Sequence, residues 1–268
     1  MFKFKNLRYW FILTLFLTFV IGPLCFAQDK HTVLLYTFET GKGNTVKDLS
    51  GSGNDGKLMG SPRWGEGKPG GGLIFGGNGP RDFVEIPDSD SLDLVDGLTV
   101  EMWVFLDSPS TAGGTGATKE STYKVGPRSD QKVLLRMTTD SKAWGSAVVI
   151  GKKELPLKTW VHIAGTYDAK SGEGKIYIDG EIDNEDNIGG KITPNNDKLW
   201  LGRGAGPFLD GKMDEVRISN IARSQGEIKQ LINIGIAGVL SVSSQDKLTT
   251  TWGQLKSRFV THYSGFHN

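Results

Sequence analysis

Hydrolysis of a glycosidic bond needs two carboxylates about 5–9.5 Å apart, one on each side of the bond. On a strand, such a pair shows as acids two or four residues apart on one face. The strand-like run LTVEMWVF holds Glu101 alone, with Trp103 at the next position on its face. The run RDFVEIPD offers Glu85, again without a partner inside the strand. No Gly-x-Ser-x-Gly turn raises a nucleophilic serine, and no His-Glu-x-x-His helix is present to hold zinc. The acids of DSDSLD (Asp88, Asp90, Asp93) open like a calcium loop. An EF-hand would need Gly at the sixth place and Glu at the twelfth, where this chain has Asp93 and Thr99, so the segment reads as a turn into the next strand. DNEDN, Asp183 to Asn187, reads as a solvated loop. KDLSGSGNDG supplies Asp48 and Asn54, two hard oxygen donors, among glycines that let main-chain carbonyls turn inward.

These residues need elements to position them, and the composition says which kind. The chain has 268 residues, and its 37 glycines are roughly twice the usual share. That excess favours many turns between short strands. The formal charge is +1 with no basic block, which excludes the electrostatic footprint of a nucleic-acid binder. From Val33 onward, runs such as VLLYTF, DFVEI, LTVEMWVF, KVLLRM, SAVVI, LWLG and MDEVRIS alternate with SGSGNDG, GEGKPGGG, DSPSTAGGTG and ITPNND. The expectation is all-β: a two-sheet antiparallel sandwich or jelly roll. WVHIAGTYDAKSGEGKIYIDGE, Trp160 to Glu181, reads as one of its hairpins. A single short C-terminal helix is signalled by Ser224 and Glu227 as a capping box, Ile228, Leu231 and Ile232 on one face, and Gly235 as its stop.

Lys3, Lys5 and Arg8 precede an apolar run, Phe11 to Leu24, that ends in CFAQ. This is the layout of a secretory signal with cleavage after Ala27. Leu24 before Cys25 disfavours a lipid anchor, and Gly22-Pro23 interrupts the run as an uncleaved membrane helix. Cleavage would remove the sole cysteine and leave a mature chain of formal charge −2, without disulfides or thiol chemistry and with no membrane span. The expected organisation is a signal peptide at 1–27, a β domain at 28–238, and a polar tail at 239–268. The expected location is the periplasm, the cell surface or the medium.

In order and spacing, LLYTFETGKGNTVKDLSGSGNDGKLMG, GLIFGGNGPRDFVEIPDSDSLDL, LTVEMWVF, WVHIAGTYD…GKIYIDGE and LWLGR…FLDGKMDEVRISNIARS resemble the laminin-G-like, concanavalin A-like jelly-roll family in its bacterial exported form. The resemblance covers roughly Val33 to Ile234. It implies two antiparallel sheets face to face, with the first and last strands adjacent. It assigns Trp64, Trp103, Trp160 and Trp200 to framework strands and hence to the core, and His162 to a framework position. Catalytic members of the superfamily carry a Glu-x-Asp-x-x-Glu-like strand, which this chain lacks, so an enzyme is not expected. The resemblance also implies a structural calcium ion where loops near the first strand meet the start of the last, with Asp48, Asn54 and Asp214 as side-chain donors. Tyr123, Arg128 and Trp144 lie in the least family-like stretch, Asp107 to Gly151, whose loops would rim a ligand face. They are the expected ligand-binding residues. The functional expectation is a secreted, non-catalytic recognition module for a glycan or cell-surface polysaccharide. The alternatives are a structural or adhesive module binding other exported proteins through the tail, and a glycoside hydrolase or lyase with an unusual site at Glu85 or Glu101.

Overall fold

The computed structural model describes residues 29–68, 70–76, 81–110, 114–204 and 208–236. The expected signal segment 1–27 and tail 239–268 lie outside them. Among the described residues there are sixteen strands. The first half comprises β1 (Thr32–Tyr36), β2 (Thr45–Val46), β3 (Gly56–Met59), β4 (Arg63–Glu66), β5 (Gly71–Phe75), β6 (Phe83–Ile86), β7 (Gly97–Leu106) and β8 (Ala117–Lys119). The second comprises β9 (Tyr123–Pro127), β10 (Val133–Met137), β11 (Ala147–Ile150), β12 (Trp160–Asp168), β13 (Glu173–Ile178), β14 (Glu181–Asn187), β15 (Leu199–Leu201) and β16 (Gly211–Ser219). One helix, α1, spans 225–236.

Two eight-stranded antiparallel sheets pack face to face as a jelly roll. One runs β14-β13-β12-β7-β16-β5-β4, with β1 also paired to β16. The other runs β11-β10-β9-β8-β15-β6-β3-β2. The first and last strands are adjacent, Leu34 facing Ile218 and Tyr36 facing Val216. Period-two alternation builds the core: Leu98, Val100, Met102, Val104 and Leu106 of β7 meet Val133, Leu135 and Met137 of β10 between the sheets. At Gly165 of β12 a Cβ would sit 2.9 Å from the Val125 side chain, so this glycine permits a close approach of the two layers.

The Trp160 hairpin forms as β12 and β13, with Tyr167 fully buried while Trp160 and Ile178 are half-buried. The chain then makes a second hairpin that the sequence reading missed. Asp179 (φ 49°) and Gly180 (φ 78°) form a two-residue turn of the kind hairpins prefer, and DNEDN lies in β14. Its charges suit an edge strand, because they keep another chain from pairing there. The capping box of α1 is present: Glu227 N donates to Ser224 Oγ at 3.3 Å, and Ser224 N donates to Glu227 Oε2 at 2.9 Å. The helix covers the outer face of the first sheet, with Ile228 against Ala164 and Tyr177, and Leu231 against Leu35.

Candidate functional site

The outer face of the second sheet carries the most chemically versatile surface. Tyr123 and Val125 of β9, and Val133, Leu135 and Met137 of β10, point into the core. Lys124 and Arg136 therefore point outward. The strand register lines up Arg136, Lys124, Thr118, Trp200, Glu85 and Lys57 in one row across six strands. Trp144, in the loop before β11, lies over one end, with Lys124 Nζ 5.5 Å and Arg136 Cζ 5.6 Å from its ring centroid. At the other end the Arg203 guanidinium stacks 4.3 Å from the Trp200 ring and 4.6 Å from that of Phe83. Glu85 is held by Lys198 at 2.8 Å.

This face leaves donors unused. Thr118 Oγ1, Arg136 Nε, Trp200 Nε1 and Arg203 Nε are shielded from solvent and have no hydrogen-bond partner. Lys124 is 3% exposed, and among the described residues its one ion pair is with Glu120 at 3.4 Å. Burial lowers the Lys124 pKa, with the nearby Arg136 acting in the same direction and Glu120 opposing. Half-buried aromatic rings beside unspent donors are what a sugar ring requires: a flat apolar face to stack on and polar groups to take its hydroxyls.

Of the three expected ligand residues, the structure keeps only Trp144 on this face. Tyr123 is corrected to the core: it has no exposed surface, and its hydroxyl donates to the Leu92 carbonyl at 3.3 Å. Arg128 is corrected to the β9–β10 turn, paired with Asp130 at 3.1 Å. It is four strand positions from Lys124, roughly 13 Å along the sheet. The cations that Trp144 meets are Lys124 and Arg136. Trp200 is also corrected from core to outer face, and the signal was present: Leu199 and Leu201 are fully buried, so period two turns the residue between them outward.

The expected calcium donors do not assemble. Asp48 Oδ1 accepts from the N–H of Leu35 (3.0 Å) and Ser50 (2.9 Å), and Oδ2 accepts from Ser50 Oγ (2.8 Å) and Asn54 N (2.9 Å). Four donors fill both oxygens. Asn54 spends its amide on Val33 O and Ser91 Oγ and its carbonyl on the Ser89 hydroxyl. Asp214 stands on β16, taking N–H bonds from Lys68 (2.9 Å) and Glu215 (2.7 Å), with no bond to Asp48 or Asn54. These residues do not fit a calcium shell. In the DSDSLD segment a protein cation already occupies the place between the acids: the buried Lys119 ammonium pairs with Asp88, and lies 3.3 Å from Asp93. Among the described residues no group of three or more His, Cys, Asp or Glu side chains is placed to hold a metal ion.

The isolated acids are equally occupied. Glu101 is buried against Arg217, and burial pushes the neighbouring His162 down to about 3, so its imidazole is neutral and a poor base. A cavity of ≈ 400 Å³ beside the end of α1 is lined by Glu39, Lys68, Trp103 and Glu215, with Asp214 behind it. Burial raises Asp214 to about 7 and raises Glu215. Asp214 is nevertheless unexposed, with both oxygens tied to main-chain N–H groups, and cannot reach a ligand in the cavity.

The raised Asp214 pKa has a consequence for stability. The native protein holds this proton up to about pH 7, whereas the unfolded chain releases it near 3.8. The stabilisation is complete below the unfolded value and disappears as pH rises through 7. Urea unfolding at pH 6 and pH 8 is expected to show a smaller loss of stability in Asp214→Asn than in the unmutated protein. His162 titrates with the opposite sign, but it is common to both proteins and cancels in the difference. Equal losses in the two proteins would show that Asp214 is ionised throughout.

A model of the family described as the concanavalin A-like lectin/glucanases superfamily matches residues 76–229. No curated protein matches the sequence. Among solved structures, the chain is similar to domain 4 of AbnA, a GH43 extracellular arabinanase from Geobacillus stearothermophilus in complex with arabinotriose. The identity is 20% over 76% of this chain and 98% of that one, with a TM-score of 0.61. It is also similar to the binding domain of Paraclostridial Mosquitocidal Protein 1 (17% identity, 76% and 52% coverage, TM-score 0.61). The binding domain of Botulinum neurotoxin DC, in complex with rat synaptotagmin II, aligns at 14% identity, 76% and 51% coverage and a TM-score of 0.56. This chain spans about half the length of the two toxin domains. At these identities the likeness is one of fold.

Proposed function

The chain belongs to the concanavalin A-like lectin/glucanases superfamily, and from that premise we propose that it is an exported, non-catalytic module that binds carbohydrate on the outer face of its second sheet. The observation that carries this reading is the row from Arg136 to Glu85, bounded by Trp144 and by Trp200 with Arg203, in which aromatic faces stand beside buried donors with no partner. The arabinotriose complex of the AbnA domain supports it by showing that a related sandwich takes a sugar, though fold alone does not fix function. The absence of catalysis is supported by the occupied states of Glu101, Glu85 and His162. Export rests on Lys3, Lys5 and Arg8 ahead of the apolar run; recovery of the uncleaved chain from the cytosol of its own host would count against it.

The test is retention of the full chain on a panel of polysaccharides, repeated for Trp144→Ala. An anchor ring of this kind contributes about 2 kcal/mol or more, so affinity is expected to fall at least tenfold. The thermal midpoint should move little, because Trp144 is half-buried and lies outside the inter-sheet core. Undiminished binding by Trp144→Ala would move the site elsewhere, and no retention on any glycan would remove the reading.

A further inference from the structure

The second-sheet face differs from the rest of the protein in how it treats arginine. Arg217 is paired with Glu101, Arg223 with Asp29 and Glu227, and Arg128 with Asp130. Each arginine that is partly or fully buried has a carboxylate beside it, with two exceptions. Arg136 and Arg203 are both half-buried, take part in no ion pair among the described residues, and each keep an Nε hydrogen without a partner. Both are on this face, and both lie against aromatic rings, Arg136 under Trp144 and Arg203 over Trp200. Lys124 adds a third cation, whose one ion-pair partner among the described residues is Glu120. Glu85, the acid in the row, is taken by Lys198.

A guanidinium N–H shielded from water and left without an acceptor is unfavourable unless the acceptor arrives with a ligand. Its planar fork fits the two oxygens of a carboxylate or a sulfate, and Lys124 provides a point charge beside it. Resting on the carbohydrate-binding reading, we infer that the ligand of this face is an anionic glycan, a polymer of uronic acid or sulfated sugar. A sugar ring stacks on Trp144, and its acid group lies between Arg136 and Lys124. Arg203 on Trp200 offers a second cation for a further acidic unit along the row. The spacing of the strands supports this: three inter-strand steps of about 4.8 Å separate Arg136 on β10 from Trp200 on β15, through Lys124 and Thr118, a span of roughly three sugar-sized steps.

The experiment measures affinity of the full chain for polygalacturonate, for dextran sulfate, and for neutral arabinan and dextran, at low and moderate salt. Binding to at least one of the two anionic polymers is expected to be tenfold or more tighter than to either neutral one; which anionic polymer is preferred distinguishes carboxylate from sulfate. Arg136→Gln should lose at least tenfold, and Arg136→Lys, which keeps the charge but not the fork, should recover only part of it. Arg128→Gln, which removes the same charge away from the face, should bind as the unmutated protein does. Equal loss in Arg128→Gln and Arg136→Gln would mean diffuse attraction and would overturn the inference. Tight binding of neutral polymers unaffected by Arg136→Gln would overturn it too, while leaving the carbohydrate reading in place. Binding to none of the four polymers, but to a protein ligand, would remove both. Should Arg136→Gln fail to fold, Arg203→Gln carries the same comparison.

Discussion

Glu101→Ala is expected to lose about 3–5 kcal/mol of folding stability, seen as a large drop in the urea midpoint. Glu101 is in the middle of β7 with no exposed surface, and its Oε1 accepts from Arg217 Nε at 2.6 Å across the β7–β16 pairing. Burial pushes its pKa up, and Arg217 pulls it back toward the ionised form. Removing the carboxylate leaves a guanidinium, itself 3% exposed, beside a neutral His162 whose Nε2 lies 3.5 Å from Glu101 Oε2. The pair itself need not be stabilising relative to apolar residues of similar volume. Glu101→Leu combined with Arg217→Met should therefore be more stable than either single variant. A single-variant loss below about 1 kcal/mol would mean that the charges are solvated or re-paired in solution.

The second large effect is at Asp48, where Asp48→Ala should cost several kcal/mol, since each buried donor left unsatisfied costs about 1–3 kcal/mol. Four donors lose their acceptor together: the main-chain N–H groups of Leu35, Ser50 and Asn54, and the Ser50 hydroxyl. The bond to Leu35 ties the loop to β1, and the bond to Asn54 sets the carbonyl that accepts from Tyr36 Oη at 2.5 Å. Asp48→Asn should recover part of the loss, because the amide oxygen can still serve one pair of donors while the NH₂ faces the other pair. Full recovery in Asp48→Asn would show that only two of the four bonds matter. Thermal denaturation of the three proteins decides it.

The elements that could be read from the sequence were those whose cause is local. The β12–β13 hairpin, the Ser224–Glu227 capping box and the alternation of β7 all follow from neighbouring residues. Where chemistry depends on distant partners, the sequence was silent. DSDSLD read as a turn, but nothing local showed what holds its acids, because Lys119, the partner of Asp88 and Asp93, is more than twenty positions away and reaches them only through the fold. Asp48 looked like a ligand because its donors are mostly main-chain groups, which sequence does not display. The face of the second sheet was half legible. Trp144 was found because it lies in the least family-like stretch, whereas Arg136 was passed over and Trp200 was assigned to the core inside runs that read as apolar strands, although Leu199 and Leu201, or Leu135 and Met137, already determine which way they turn.

The position of β16 sets the order in which this protein can be completed. β7 pairs with β12 on one side, and β5 pairs with β4, but among the described residues the two parts of the first sheet meet only through β16, and β1 likewise has no other partner. Among the described residues β16 is also the last strand to be made. Until residues 211–219 have left the ribosome, the nascent chain carries two unfinished half-sheets and an unpaired first strand, with the edges of β5 and β7 open to any extended peptide nearby. The first sheet of such a chain cannot be completed in stages from the amino end. It must be kept apart from its neighbours over most of its synthesis, and then close across the whole length of the domain at once.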